Sequence, residues 1–305
     1  MKGAPQDFMK IGITHFMAFP EVMNGDGPVV ETLKKICEDD YFQAFEVTTI
    51  ADNSVRKEAI ALTQKAEMTV SFVAHPVLLS DSLDLNNSDP EVRQAAVDRM
   101  RACLNEAIQW DACGFALVSG PDSEEDRREC CTSMLIASLK ELCEHSRRKG
   151  GPPVLLEVFD RVSYGKNRLI GPTADASDVA YKVEPYFPNF GLVVNLGHLP
   201  LLGETPEDAV RAAGRHLRHV HLANCVMADP NHPAYGDKHP PFGIEKGENG
   251  VDELATFLKA LLDIGYIAEG KQNIVSFDIT PLEDMSYDDV SAGAKEILDA
   301  AWAAL

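Results

Sequence analysis

Two hydrophobic periods alternate along this chain. Short apolar, β-branched runs recur from end to end, and between them apolar residues return every three or four positions. The first pattern predicts strands over 10–16, 42–48, 69–75, 114–119, 154–159, 192–195, 219–223 and 274–279. The second predicts amphipathic helices over 28–38, 54–67, 90–110, 124–147, 206–215, 251–262 and 287–303. A further helix over 174–187 is weaker, because Pro185 and Pro188 close it early. Start signals agree. In Asn86-Asn87-Ser88-Asp89-Pro90, Ser88 or Asp89 can cap a helix whose first turn holds the proline, where a missing N–H costs nothing. Thr205-Pro206 repeats the pattern.

Strands alternating with helices imply a parallel sheet, and eight such units imply closure into a (β/α)8 TIM barrel. An open doubly wound sheet is the alternative. Its nucleotide-binding form wants a glycine-rich phosphate loop, and neither Gly-x-Gly-x-x-Gly nor a Walker-type motif occurs. No repeat shorter than the strand–helix unit, no low-complexity segment and no linker interrupts the pattern, so a single domain over 1–305 is expected.

Composition narrows the class. The chain has 305 residues, 45% of them hydrophobic, but no apolar run reaches the roughly eighteen residues that span a bilayer. The stretch Met1–Asp7 lacks the apolar core of a signal peptide, so a soluble, cytoplasmic protein is expected. Seven cysteines, at 37, 103, 113, 130, 131, 143 and 225, form no Cys-x-x-Cys and read as free thiols. Acidic residues outnumber basic ones 48 to 28, giving a net charge of −20. A surface that neutralises phosphates needs the opposite balance, which disfavours nucleic acid as a partner.

In such barrels, chemistry sits at the C-terminal ends of the strands. Each of the last four predicted strands carries a metal-competent side chain: Glu157 in Val-Leu-Leu-Glu, Asn195 in Leu-Val-Val-Asn, His221 in His-Val-His and Asp278 in Val-Ser-Phe-Asp. A charge among apolar strand residues costs several kcal/mol without partners, on the order of the 2–7 kcal/mol for burying even a neutral polar group. A shared divalent cation satisfies all four together. Mixed oxygen and nitrogen ligation suits Mn²⁺, taken first, or Mg²⁺, Co²⁺ or Zn²⁺. Singly, each has a plainer reading: an ion-pair partner for Glu157, a turn residue for Asn195, a turn cap for Asp278. His219 and His221 face one side of their strand, the first deeper as a hydrogen-bonded core histidine and the second as ligand.

On these residues the chain resembles the xylose-isomerase-like barrels, which include sugar isomerases, ketose 3-epimerases, inosose dehydratases and hydroxypyruvate isomerases. Glu157, Gly191–His198, the run His219–Asn224 and Val275–Asp278 carry the resemblance. It implies Glu, Asp, His and Glu as metal ligands at the four places, with the two outer carboxylates, here Glu157 and Asp278, exchanging a substrate proton. It also implies that His198, in the sixth-strand motif, reaches substrate. Asn195 stands where the family has Asp, and Asp278 where it has Glu. One base is a methylene shorter and the site is less negative, which leaves the ion a stronger Lewis acid.

Around the same rim, His15 ends the first strand, His75 ends the third and Glu46 lies in the second. The loop 229–249 is long enough to act as a lid, and Lys238 and His239 on it are expected, with His15 and His75, to bind substrate; the alternative is a solvated loop stiffened by prolines. Asp160, Arg161 and Lys166 either bind substrate hydroxyls or pair with each other. The expectation is a metal-dependent isomerase or epimerase that removes a proton beside a carbonyl of a sugar or keto-sugar. The resemblance equally admits a lyase like the α-subunits that cleave 3-oxo-C-glycosides with a small partner subunit, with His15, His75 or, least favoured, His145 as base. A homo-oligomer is also left open. A non-catalytic sugar-binding barrel is the remaining alternative; apurinic endonucleases, which share the barrel, want more ligands and a basic surface.

Overall fold

The computed structural model describes residues 3–161 and 164–305; Met1 and Lys2, part of the N-terminal stretch considered above, lie outside the described residues, as do Val162 and Ser163. The apolar runs form strands β1 Lys10–Thr14, β2 Ala44–Val47, β3 Thr69–Val73, β4 Phe115–Val118, β5 Val154–Glu157, β6 Phe190–Asn195, β7 Leu217–Leu222 and β8 Ile274–Phe277. They close in chain order into one parallel barrel, with β1 paired to β8 through Lys10–Ile274 and Ile11–Val275. Both faces of such a strand are covered, one by the barrel interior and one by helices, which is why the runs are almost continuously apolar. β4, β5, β6 and β8 are buried at every position, and β7 exposes only Arg218.

The outer layer consists of α1 Val29–Cys37, α2 Asn53–Lys65, α3 Pro90–Gln109, α4 Arg128–Lys149, α5 Thr173–Val183, α6 Pro206–Ala213, α7 Val251–Asp263 and α8 Tyr287–Ala303. Their starts are fixed by side chains that replace missing intrahelical bonds. Asp89, not Ser88, caps α3, accepting from the Glu91 N–H at 2.8 Å, and Thr205 caps α6, accepting from Asp208 at 3.2 Å. α4 ends at Gly150, whose φ of 67° is the left-handed turn glycine adopts freely. α5 stops at Val183, two residues before Pro185.

Several strands are shorter than their apolar runs. β1 stops at Thr14 because His15–Ala18 make a helical turn, and β3 stops at Val73 because a short helix, His75–Ser80, begins with Pro76 in its first turn. Burial continues past the strand into the rim, and a buried helical turn has no hydropathy signature that separates it from a strand end. Among the described residues, no helix is long and apolar enough to cross a membrane.

The turn after β1 sets the position of His15. Its Nε2 lies 2.8 Å from Thr32 Oγ1 on α1 and its ring packs on Phe19. Burial, with no carboxylate nearby to oppose it, pushes its pKa down to about 3. The folded state therefore binds one proton fewer than the unfolded chain between about pH 3 and the ordinary value of 6.5, and stability falls as pH falls through that window. In urea melts, His15→Asn is expected to remove a slope of up to about 1.4 kcal/mol per pH unit between pH 6.5 and the acid limit. An unchanged slope in the variant assigns the acid lability to other groups.

Candidate metal centre

Inward-facing residues at the C-terminal ends of β5 to β8 converge. Glu157 is the last residue of β5, Asn195 the last of β6 and His221 the last but one of β7. Asp278 follows β8 and stays in line because its N–H donates to Leu222 O at 2.9 Å. The parallel register sets Asn195 beside His221. All four side chains are buried, Glu157 to within 1% of complete.

His221 Nδ1 lies 3.1 Å from Glu157 Oε1 and 4.0 Å from Asp278 Oδ2. Asn195 bridges the two acids: its Nδ2 donates to Glu157 Oε1 at 3.1 Å and to Asp278 Oδ2 at 3.0 Å. Its Oδ1 accepts the Gly197 N–H at 3.0 Å, which fixes which end of the amide faces inward. Asn195 therefore enters a ligand set only by turning its amide end for end and giving up Gly197. Glu157, His221 and Asp278 each offer a ligand atom, all within 4.8 Å of one another.

Of the four residues expected to bind substrate, His75, Lys238 and His239 line the adjoining cavity; His15, turned onto Thr32, does not, because the chain is already helical there. His198 lies behind His239 rather than at the cavity wall. Its Nδ1 donates to Val158 O at 2.7 Å, and its Nε2 is 3.1 Å from His239 Nε2. His219 lies deeper and bonds Glu46. His145 sits on the outer layer against Asn105. Asp160 accepts the backbone N–H groups of Lys166 and Asn167, and Arg161 donates to Leu169 O and pairs with Asp175, so these two build the loop after β5. Lys166 reaches the cavity, 3.9 Å from Asp237 Oδ2.

The loop 229–249 is a packed cover rather than a solvated strap. Val226 pairs with Tyr235 and Gly247, Asn224 donates to Pro241 O, and the Thr280 N–H donates to His239 O at 2.7 Å. Gly236, at φ 81°, lies so near Tyr164 O that a Cβ would come within 2.3 Å of it. His239 is held at φ 51°, a conformation costly for a side-chain-bearing residue and kept by the contacts around it. Its Nε2 is 2.6 Å from Asp237 Oδ1 and its Nδ1 2.7 Å from Asp278 Oδ2. Asp237 is a buried acid that strand-based reasoning misses, since it lies in a loop among polar residues. A signal existed only in Gly236-Asp237-Lys238-His239, a turn former followed by three ionisable residues.

Each acid is offset by an imidazole. Burial alone would raise Glu157, but His221 and His75 hold it down at about 2. Burial likewise opposes ionisation of Asp278 and Asp237, which His239 reverses in both, helped by His221 at Asp278 and by His198 at Asp237. Against its own burial, His239 is pushed up to about 10 by Asp278 and Asp237, and His221 is raised by Glu46 and Glu157. At His75 burial wins and lowers the pKa.

The cavity measures about 240 Å³, at the small end of ligand pockets. Glu157, His221 and Asp278 meet it together with Phe16, Met17, Met23, Leu79 and Phe159. Glu157 Oε2 is buried and without a hydrogen-bond partner, with His75 Nδ1 3.5 Å away, and Glu157 and His75 both line this cavity. An orphaned carboxylate oxygen beside an imidazole and a second carboxylate, with no thiolate, fits a hard or borderline divalent ion such as Mn²⁺, Mg²⁺, Co²⁺ or Zn²⁺.

Comparison with known proteins bears on the fold and the family. No curated protein matches the sequence at a significant level. Among solved structures, D-psicose 3-epimerase from Clostridium cellulolyticum H10 is 19% identical with a TM-score of 0.66, covering 97% of this chain and 96% of that one. A D-tagatose 3-epimerase-like protein is 18% identical with a TM-score of 0.71, covering 97% and 98%. The 3-keto-D-glucoside 4-epimerase from E. coli is 16% identical with a TM-score of 0.67, covering 96% and 98%. At these identities the likeness is one of fold. The model of one family, the xylose isomerase-like TIM barrel, matches residues 36–291, and the chain belongs to that family.

Proposed function

We propose that the protein is a divalent-metal-dependent sugar isomerase or epimerase that removes a proton beside a carbonyl of a sugar or keto-sugar. The observation that carries this reading is the convergence of Glu157, His221 and Asp278 on one cavity, with a buried carboxylate oxygen left unpartnered. These three residues would hold the ion, with Asn195 as a fourth ligand only after its amide turns. When bound, the ion would polarise the carbonyl and an adjacent hydroxyl, and manganese is the first candidate. The epimerase folds among the structural neighbours, one named for a 3-keto-D-glucoside, support the substrate class.

The chain's own groups supply the rest. Glu157 stays ionised at neutral pH, so the carboxylate oxygen not holding the ion would accept the C–H proton while the electron pair moves into the carbonyl. Epimerisation needs a proton on the opposite face of the same carbon. Asp278, itself ionised, would relay it from the cationic His239, whose Nδ1 lies 2.7 Å from Asp278 Oδ2, and His239 would be reprotonated from solvent. His239, cationic near neutral pH, and Lys238 and Lys166 present positive charge to the oxygen that gains it. The covering loop, with its buried Asp237, excludes water from the exchange.

A second reading is supported by the aromatic and thioether wall. Phe16, Met17, Met23, Leu79 and Phe159 offer a sugar no hydrogen bonds but fit an apolar substituent. A 3-oxo-C-glycoside carries one, and the same proton removal then expels it as a leaving group, with His75 available as a neutral base.

Elemental analysis after manganese loading, with turnover measured in parallel, tests the centre. Glu157→Ala and His221→Ala are each expected to lose the ion and to cut turnover by at least about 10²-fold; wild-type metal content and turnover in either variant sinks the assignment. Incubation in D2O separates the two reactions. Ketoses or 3-keto-glucosides should take up solvent deuterium beside the carbonyl without losing a substituent, whereas release of aglycone from 3-oxo-C-glycosides makes the protein a lyase. Neither result with any of these, and no stoichiometric ion, leaves a sugar-binding barrel.

A further inference from the structure

Glu46, on β2, plays no part in the reaction just described and does not line the cavity, yet its carboxylate is wholly buried in the barrel. It reaches across the interior to β7. There, Oε1 lies 2.9 Å from His219 Nε2 and 3.0 Å from His221 Nε2, and Oε2 lies 3.2 Å from His221 Nε2. We propose that Glu46 is a positioning residue of the metal centre: it accepts the Nε2–H of His221 and so aims the Nδ1 lone pair of that ring at an ion held with Glu157 and Asp278. The inference rests on the metal-dependent reading above.

The geometry leaves the ring little choice. A neutral imidazole donates from one nitrogen and coordinates through the other. The two nitrogens of His221 face opposite ways, Nε2 to Glu46 and Nδ1 to Glu157 Oε1 at 3.1 Å. The Glu46 oxygens can only accept, so the proton belongs on Nε2. Nδ1, which faces Glu157 Oε1 and lies 3.5 Å from Asn195 Nδ2, is the nitrogen that would exchange its proton for an ion, on the side where Asp278 and the cavity lie, while Nε2 keeps its proton for Glu46. His219 fixes the carboxylate from below, and the two rings meet edge to face at 5.0 Å. Both Nε2–H donors approach Oε1, and Oε2 lies 3.2 Å from His221 Nε2, so both oxygens face a donor and both must accept. An amide in the same place would turn one of its ends, a donor, toward one of them. A negative charge behind the ring also makes Nδ1 a stronger donor to the ion.

The Kd for Mn²⁺, measured by competition with a chromophoric chelator, tests this, with the visible spectrum of the Co²⁺-loaded protein as a second readout. Glu46→Gln is expected to weaken Mn²⁺ binding about 10- to 100-fold and to shift the Co²⁺ bands, because the ring loses its fixed tautomer. His219→Gln leaves the Glu46–His221 contact in place and is expected to keep Kd within about twofold of wild type. Wild-type Kd and spectrum in Glu46→Gln overturn the inference, as does an equal loss in both variants, which would mark general damage to the barrel interior. Should Glu46→Gln fail to fold, Glu46→Asp is measured instead: it keeps the charge but withdraws it by a methylene, and an unchanged Kd there also overturns the inference. A wild-type protein that binds neither ion overturns the metal-dependent reading and this inference with it, whereas wild-type binding with an unaffected Glu46→Gln overturns this inference alone.

Discussion

Everything at the C-terminal end of this barrel answers to one constraint, the burial of several carboxylates within a few ångströms of one another. Glu46, Glu157, Asp237 and Asp278 are each nearly inaccessible to water. Four like charges in a medium of low dielectric would drive one another to protonate. They remain ionised because imidazoles are interleaved between them: His219 and His221 at Glu46, His221 and His75 at Glu157, His239 at Asp278, and His239 with His198 at Asp237. The alternation of acid and imidazole is built by the consecutive strands β5 to β8, by Glu46 reaching across the closed barrel from β2 to β7 and by the covering loop, so the electrostatics and the topology depend on each other.

The sequence made the strands and their chemistry legible for separate reasons. Runs such as Val154-Leu155-Leu156-Glu157 and His219-Val220-His221 stand out because an ionisable residue is expensive inside an apolar run, and that cost is visible without a structure. The barrel followed from counting alternations. Positions set by tertiary context were not legible. His15 looked like a strand-end residue until the helical turn His15–Ala18 rotated it onto Thr32. Asp237 looked like one more loop acid, and its burial depends on a cover whose anchors, Asn224 and Thr280, lie in other parts of the chain. Which end of the Asn195 amide faces inward was decided by a single N–H, that of Gly197.

The cover and the scaffold store their constraints differently. The helices are fastened by caps that any compact barrel of this kind can use. The loop over the cavity is fastened instead by bonds to other segments, from Asn224 to Pro241 O and from the Thr280 N–H to His239 O, which hold His239 at a positive φ. Strain of this sort persists only where surrounding contacts enforce it, and here they converge on the ring that touches Asp278.

The amide of Asn195 has a consequence for assembly. With a carboxylate in its place, three acids would meet at the end of β6 and repel one another. With two N–H groups directed at Glu157 and Asp278, the protein carries its own neutral spacer. The repulsion between the two acids is thereby relieved by the chain itself, unlike in small metal-nucleated domains whose ligands come together only around an ion.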